Sequence, residues 1–268
     1  VNSTMACALV AKKLHVRVAH VEAGLRSFDR DMPEEINRIV TDAICDYLFI
    51  TEPSAERNLL REGVDREKIF YEGNVMIDTL LKNLEKAEKQ DILDRLGVAP
   101  GEYCAMTMHR PSNVDAPEVL SGLVGCFEKI QEKIKIVFPA HPRTLKKLND
   151  SGLMDRVRAM PNFILTDPVN YHEMLRLNKD ARFVLTDSGG LQEETTVLRV
   201  PCITMRNNTE RPATCEIGTN EVVGNRPGKI LDAVERVLAG NWKKGQIPDK
   251  WDGRAGERIV GVMGNCGR

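Results

Sequence analysis

Short apolar runs rich in β-branched residues alternate with amphipathic helical stretches along the whole chain. This alternation constrains the fold more than any other feature, because repeated βα units build a parallel sheet with helices packed on it. The expected class is α/β, doubly wound. After a first helix ending near Leu14, strands are expected at 16–21, 47–51 and 69–71. A helical stretch from 76 to about 96 follows, with Ile77, Leu80, Leu81 and Leu84 on one face, and reads as a connector between domains. Beyond it come strands at 103–108, 134–138, 163–165, 183–186, 202–205 and 221–223. The helix after the first of these is marked by Leu120, Leu123, Val124 and Phe127 at i, i+3, i+4 and i+7.

The two halves are unequal. Roughly 75 residues with three strands is thin for a doubly wound domain, whereas roughly 150 with six is typical. The expected division is a partial N-terminal domain over 1–78, joined by the tail 250–268, and a C-terminal domain over 79–249. The chain opens at Val1 on a polar, helix-like stretch with neither initiator Met nor signal peptide, so a preceding segment is expected. The tail from Gly245 onward is rich in glycine and charge and shows no readable period.

Composition removes several classes of function. The 268 residues carry 38 Lys and Arg against 39 Asp and Glu, a net charge of -1, so no global basic field exists to hold a nucleic acid. Nor does any apolar run approach the roughly 18 residues of a membrane helix. The seven cysteines are scattered and never spaced as CxxC, which suggests neither a disulfide framework nor a zinc site and fits a reducing cytoplasm.

In open α/β sheets ligands bind beyond the carboxyl ends of the strands, and those ends are polar in this chain. The first strand runs into His20, Glu22 and Gly24, where Glu22 is either a catalytic acid/base or simply exposed on a loop. Next, Pro33-Glu34-Glu35 opens a helix whose apolar residues are Ile36, Ile39, Val40, Ala43 and Ile44. Two acids after a proline are ordinary helix-start chemistry, yet one of them near Glu22 would supply a carboxylate pair for proton transfer on two faces of a substrate. In the second domain, His109-Arg110 and His141-Pro142-Arg143 end successive strands, either as loop caps or as partners for phosphate. Asp187-Ser188-Gly189-Gly190 joins a strand to a helix, reading as a phosphate cradle or as a glycine turn. It matches neither GxGxxG nor the P-loop pattern, which argues against NAD and against ATP hydrolysis. Glu194, one turn into that helix, could accept ribose hydroxyls, and Arg211 in Thr209-Glu210-Arg211-Pro212 adds a cation.

These runs, with Asn37-Arg38, Glu72-Gly73-Asn74 and Gln192-Glu193-Glu194, resemble the non-hydrolysing UDP-N-acetylglucosamine 2-epimerases in order, up to about Gly224. The resemblance implies a GT-B fold of two Rossmann-like domains, the first incomplete here, with the active site in the cleft. It further implies interconversion of UDP-GlcNAc and UDP-ManNAc by elimination of UDP and re-addition through a 2-acetamidoglucal. No nicotinamide, metal or other cofactor is implied, and the expected partners are a UDP-sugar and a second copy in a homodimer, with neither nucleic acid nor membrane. By position, Glu22, Glu34 and His109 match the family's catalytic residues; Ser188, Gly189, Gly190, Glu194 and Arg211 match its UDP ligands. Arg110 and His141 resemble positions that some bacterial members use for an activating second UDP-GlcNAc. The family also has a catalytic Asp in a segment ahead of the position of Val1, and many of its bacterial members have a longer loop between the counterparts of Arg26 and Pro33. A glycosyltransferase or hydrolysing relative on the same UDP-sugar, or a silent UDP-sugar binder, are the alternatives.

Overall fold

Branched and aromatic residues dominate most of the strands, and prolines open most of the helices that separate them. In the computed structural model, which describes residues 2–266, the order is α1 (Asn2–Lys13), β1 (Ala19–Ala23), α2 (Pro33–Ile44), β2 (Tyr47–Ile50), α3 (Pro53–Arg61), β3 (Ile69–Tyr71) and α4 (Val75–Glu88). Then follow α5 (Ile92–Leu96), β4 (Tyr103–Thr107), α6 (Pro111–Val114), α7 (Pro117–Gln131), β5 (Lys135–Pro139), α8 (Pro142–Asp150), α9 (Met154–Arg158), β6 (Phe163–Thr166), α10 (Tyr171–Asp180), β7 (Phe183–Thr186) and α11 (Gly189–Leu198). The chain closes with β8 (Cys202–Thr204), α12 (Pro212–Glu216), β9 (Asn220–Val222), α13 (Pro227–Leu238) and α14 (Ala255–Cys266). Among the described residues, no helix is long and apolar enough to cross a membrane.

Two units result. Unit 1 takes the described residues of 1–82, 208–216 and 247–268; unit 2 takes 83–207 and 217–246. The expected continuous second domain over 79–249 is therefore interrupted, since 208–216 and 247–249 cluster with unit 1. Unit 1 holds a parallel sheet of order β1-β2-β3. Unit 2 holds a parallel sheet of order β6-β5-β4-β7-β8-β9, so the chain winds outward in one direction from β4 and in the other from β7. That reversal puts a crevice at the carboxyl ends of β4 and β7. Alternate residues of β4 feed the two faces: Cys104 and Met106 join the layer made with α7 and α13, while Tyr103 and Ala105 join the one made with α5 and α10.

Three expectations shift. The first strand lies at 19–23 rather than 16–21, because the Asp46 carboxylate takes the Val18 N–H at 2.8 Å and parallel pairing starts only at Ala19 opposite Tyr47. The helix expected over 76–96 is two helices, broken at 89–91, which lets Ile92 and Leu93 turn into the unit 2 core. On α2 the buried residues are the polar ones, Glu35, Asn37, Thr41 and Asp42, whereas Ile36 is exposed. Burial on this helix follows the hydrogen-bond partners its polar side serves rather than hydrophobicity.

The unreadable tail is docked onto unit 1. Trp251 is buried and its Nε1 donates to the Thr51 carbonyl at 2.9 Å, and the Asp78 carboxylate caps α14 through the amides of Ala255 (3.1 Å) and Gly256 (2.7 Å). Gly73, at φ +94°, is required at this seam, since a Cβ there would stand 2.1 Å from the Lys250 carbonyl oxygen. Trp251→Ala is expected to cost unit 1 about 3–5 kcal/mol. Hydrogen exchange checks this: protection should fall in β2 and α14, and unchanged protection would show that the tail is not part of the unit 1 core.

Candidate functional site

The crevice at the switch point of unit 2 is organised by Asp187. This carboxylate, at the end of β7, has no exposed surface, and it accepts the backbone N–H groups of His109 (2.9 Å) and Arg110 (2.8 Å) and the Asn113 side-chain amide (3.1 Å). Its other oxygen stands 3.1 Å from Nδ1 of His109. Burial alone would raise its pKa; the His109 ring and the two amides outweigh that and hold the carboxyl below the usual carboxylate range. With Nδ1 turned to Asp187, the Nε2 side of His109 is left for a cavity of about 270 Å³ lined also by His141, Ser188, Thr107 and Leu191. The rings of His109 and His141 lie 6.0 Å apart. His141 itself is exposed at the start of α8, and its Nδ1 accepts the Arg143 N–H. Arg110, half-buried, is the N-cap of α6.

Ser188 precedes α11, which begins at Gly189-Gly190 with no side-chain cap, so its first-turn amides are available to an anion. Glu194 lies behind this turn, almost completely buried. Burial, and next the charge of Glu193, push its carboxyl up to about 7, with the nearby Asn178 amide opposing them. The unit thus combines an oriented imidazole, an uncapped helix start and a buried acid with weakened acidity, a set suited to a phosphorylated nucleoside.

In unit 1 a second cavity, of about 540 Å³, is lined by His20, Glu22, Glu34, Arg38, Thr41 and Arg211 among others. Its volume is in the range of small-molecule sites. Glu22 reaches it by an irregularity: Val21 pairs with Phe49 and Ala23 with Ile50, so Glu22 is an extra residue in β1 and stands at φ +67°. A bulge of this kind re-aims one side chain. Gly24 makes the turn possible, since a Cβ there would lie 2.6 Å from the Ala55 carbonyl oxygen.

The two neighbouring acids of α2 separate. Glu34 lines the cavity, while Glu35 is buried and accepts the amides of Ser27 (3.0 Å) and Phe28 (2.9 Å), the Ser27 hydroxyl and the Arg38 guanidinium. Burial would raise Glu35, but these donors bring it below its ordinary range. Glu35 therefore fixes the loop that leads into α2. Arg211 belongs to unit 1, where Nη2 lies 3.9 Å from Glu22 and Nη1 bonds Glu210 at 2.6 Å. Its segment is tied to the end of β2 by Glu52, fully buried, whose carboxyl is raised by burial and meets the Ala213 amide.

Sequence reasoning passed over Asp187 and Asp42 as site residues. Asp187 lies one residue ahead of Ser188-Gly189-Gly190 and could have been found as the acid ending a central strand; Asp42 is a mid-helix Asp with no local signal.

The raised Glu194 has a sign that can be tested. A carboxyl raised from its ordinary value of 4.5 to about 7 is neutral and harmless below the unfolded value, and costs stability as pH rises through the folded value. Glu194→Gln should therefore match the wild type near pH 4.5 and be more stable near pH 8, by on the order of 3 kcal/mol. Thermal melts at the two pH values measure this, and equal stabilities at pH 8 would place the charge elsewhere.

The family model described as UDP-N-acetylglucosamine 2-epimerase matches residues 1–264. The UDP-N-acetylglucosamine 2-epimerase of Methanocaldococcus jannaschii is 48% identical over 269 residues, 98% of this chain and 72% of that relative. The crystal structure of the M. jannaschii UDP-GlcNAc 2-epimerase in complex with UDP-GlcNAc and UDP superimposes with a TM-score of 0.91 at 46% identity, covering 99% of this chain and 74% of that one. A Pseudomonas aeruginosa relative, UDP-2,3-diacetamido-2,3-dideoxy-D-glucuronate 2-epimerase, is 40% identical over 241 residues, 88% of this chain and 65% of its own. The fold is of the GT-B type, and the chain belongs to the UDP-N-acetylglucosamine 2-epimerase family.

Proposed function

We propose that the protein is a non-hydrolysing epimerase that interconverts UDP-GlcNAc and UDP-ManNAc. The observation that carries this reading is the convergence of Glu22, re-aimed by a bulge, and Glu34 on one cavity that also receives Arg211. Inversion at C2 requires a proton to leave one face and return to the other, and a carboxylate pair can serve both steps. In the forward direction the C2–H and C1–O bonds break, the electron pair of C2–H forms the C1–C2 double bond, and UDP departs with the C1–O pair to leave 2-acetamidoglucal. Re-addition of UDP at C1 with protonation of C2 on the opposite face restores the nucleotide sugar. In this scheme Glu22 and Glu34 manage the C2 proton. Arg211, 3.9 Å from Glu22, neutralises phosphate charge as UDP leaves.

Unit 2 supplies the nucleotide chemistry in the same reading. His109, held by Asp187, hands a proton to the departing diphosphate; Ser188, Gly189 and Gly190 present amides to it, and Glu194 accepts ribose hydroxyls. Arg110 and His141 serve an activating second UDP-GlcNAc. We further read the protein as a cytoplasmic homodimer, the compartment being supported by buried, unbridged Cys45, Cys104, Cys126 and Cys202. Sedimentation at micromolar concentration tests the dimer.

Glu22→Gln should lower kcat by two decades or more while leaving UDP affinity nearly intact, because the lost proton transfer acts on the chemical step. Proton NMR in deuterated water measures it through exchange at C2, and exchange at the wild-type rate in the variant would remove Glu22 from the proton path. Parallel assays with UDP-GlcNAc and its diacetamido-glucuronate counterpart identify the sugar. Free ManNAc with UDP in place of UDP-ManNAc would overturn the non-hydrolysing assignment.

A further inference from the structure

The left-handed backbone of Glu22 is one that L side chains rarely adopt, and such conformations persist only where the surroundings over-determine them. The surroundings here converge on one residue. Asp42, buried on α2, sends one carboxylate oxygen to Nδ1 of His20 at 2.6 Å. The other oxygen accepts the Gly24 N–H at 3.0 Å and the Arg26 guanidinium at 2.7 Å. His20 and Gly24 stand two residues before and two residues after Glu22. Arg26, itself buried, is anchored from the far side by Glu62 through bonds of 2.8 and 2.6 Å, and the Gly24 carbonyl accepts the Asn58 amide at 2.9 Å.

We propose that Asp42 is a positioning residue of the unit 1 cavity: its carboxylate brackets Glu22 on both sides, holding the bulge that aims Glu22 and fixing the ring of His20. Without the bracket, β1 relaxes toward regular pairing, and a one-residue change of alternation carries the Glu22 side chain to the opposite face of the sheet. Bonding of Nδ1–H to Asp42 leaves Nε2 of His20, which lines the same cavity, as the free ring nitrogen. A carboxylate is needed because both of its oxygens accept. An amide at this position has a single acceptor oxygen and can accept from His20 Nδ1–H or from Gly24, but not from both. The kinetic consequence rests on the epimerase reading; the bracket itself does not.

The test uses the full chain labelled with 15N. Near pH 8, the His20 ring, assigned by its loss in His20→Asn, should show a protonated Nδ1 and a bare Nε2, and the Gly24 amide should be strongly protected from exchange. In Asp42→Asn one of these two signatures should disappear, and kcat should fall by about a hundredfold with KM nearly unchanged, the scale of a displacement of about 1 Å. Glu62→Gln, which loosens Arg26 from its more exposed side, should lower Tm while leaving both signatures and kcat in place. Retention of both signatures in Asp42→Asn overturns the proposal, as does an equal loss of kcat in Glu62→Gln, which would reduce Asp42 to a fold-stabilising role. If Asp42→Asn fails to fold, the wild-type ring decides: a His20 protonated at Nε2 with a bare Nδ1 sinks the bracket. Signatures as expected with no turnover of UDP-GlcNAc by the wild type would leave the bracket standing and remove the epimerase reading alone.

Discussion

A carboxylate without solvent is tolerated only where donors replace the water it has lost, and Asp187 is the point at which unit 2 meets that condition. It stands at the end of β7, beside the end of β4, where the direction of winding reverses. Amides of His109 and Arg110, the Asn113 side chain and the His109 ring all turn toward it. Asn113 also donates to the Met205 carbonyl, so the end of β8 is joined to the same centre. One buried charge therefore sets the exit of three neighbouring strands, the start of α6 and the orientation of the imidazole. Removing it would leave several inward-facing donors unpaired, each at a cost of about 1–3 kcal/mol.

Unit 1 uses the same device on α2. Its buried positions are polar because each carries a load: Glu35 secures the preceding loop, Asn37 donates to the Asn2 side chain, and Asp42 takes His20, Gly24 and Arg26. The apolar residues of this helix cover less of the core than their spacing suggests, Ile36 being exposed. The unit 1 core instead lies around Leu48, Ile50, Leu59 and Ile69, closed by α3. The two units thus share one logic, a regular sheet for rigidity and a buried acid that converts strand ends into a defined array of functional groups.

Much of this was legible in the sequence. Short apolar β-branched runs place every strand near its observed position, and the parallel α/β class follows from their alternation with helical stretches. The polar strand ends and the Ser188-Gly189-Gly190 turn mark where ligands should meet unit 2, because the carboxyl edge of a parallel sheet is fixed once the strands are known. The family resemblance is carried by short local runs, which is why it survives without any knowledge of packing.

What the tertiary structure alone decided are relations between segments far apart in the chain. The assignment of Arg211 to the unit that bears Glu22 depends on how 208–216 docks beside Glu52, which no local pattern encodes. The bulge at Glu22 is a property of the pairing of β1 with β2, and a single strand does not reveal which of its residues will be left over. The division of labour between Glu34 and Glu35 turns on about 100° of helix rotation, which is set by packing, since both residues suit a helix start equally well. The docking of the tail through Trp251 is likewise a contact across 200 positions. Sequence determined the elements and the chemistry available at their ends, because those depend on neighbours in the chain; the structure determined which ends meet, because that depends on burial and on where each charge finds its partners.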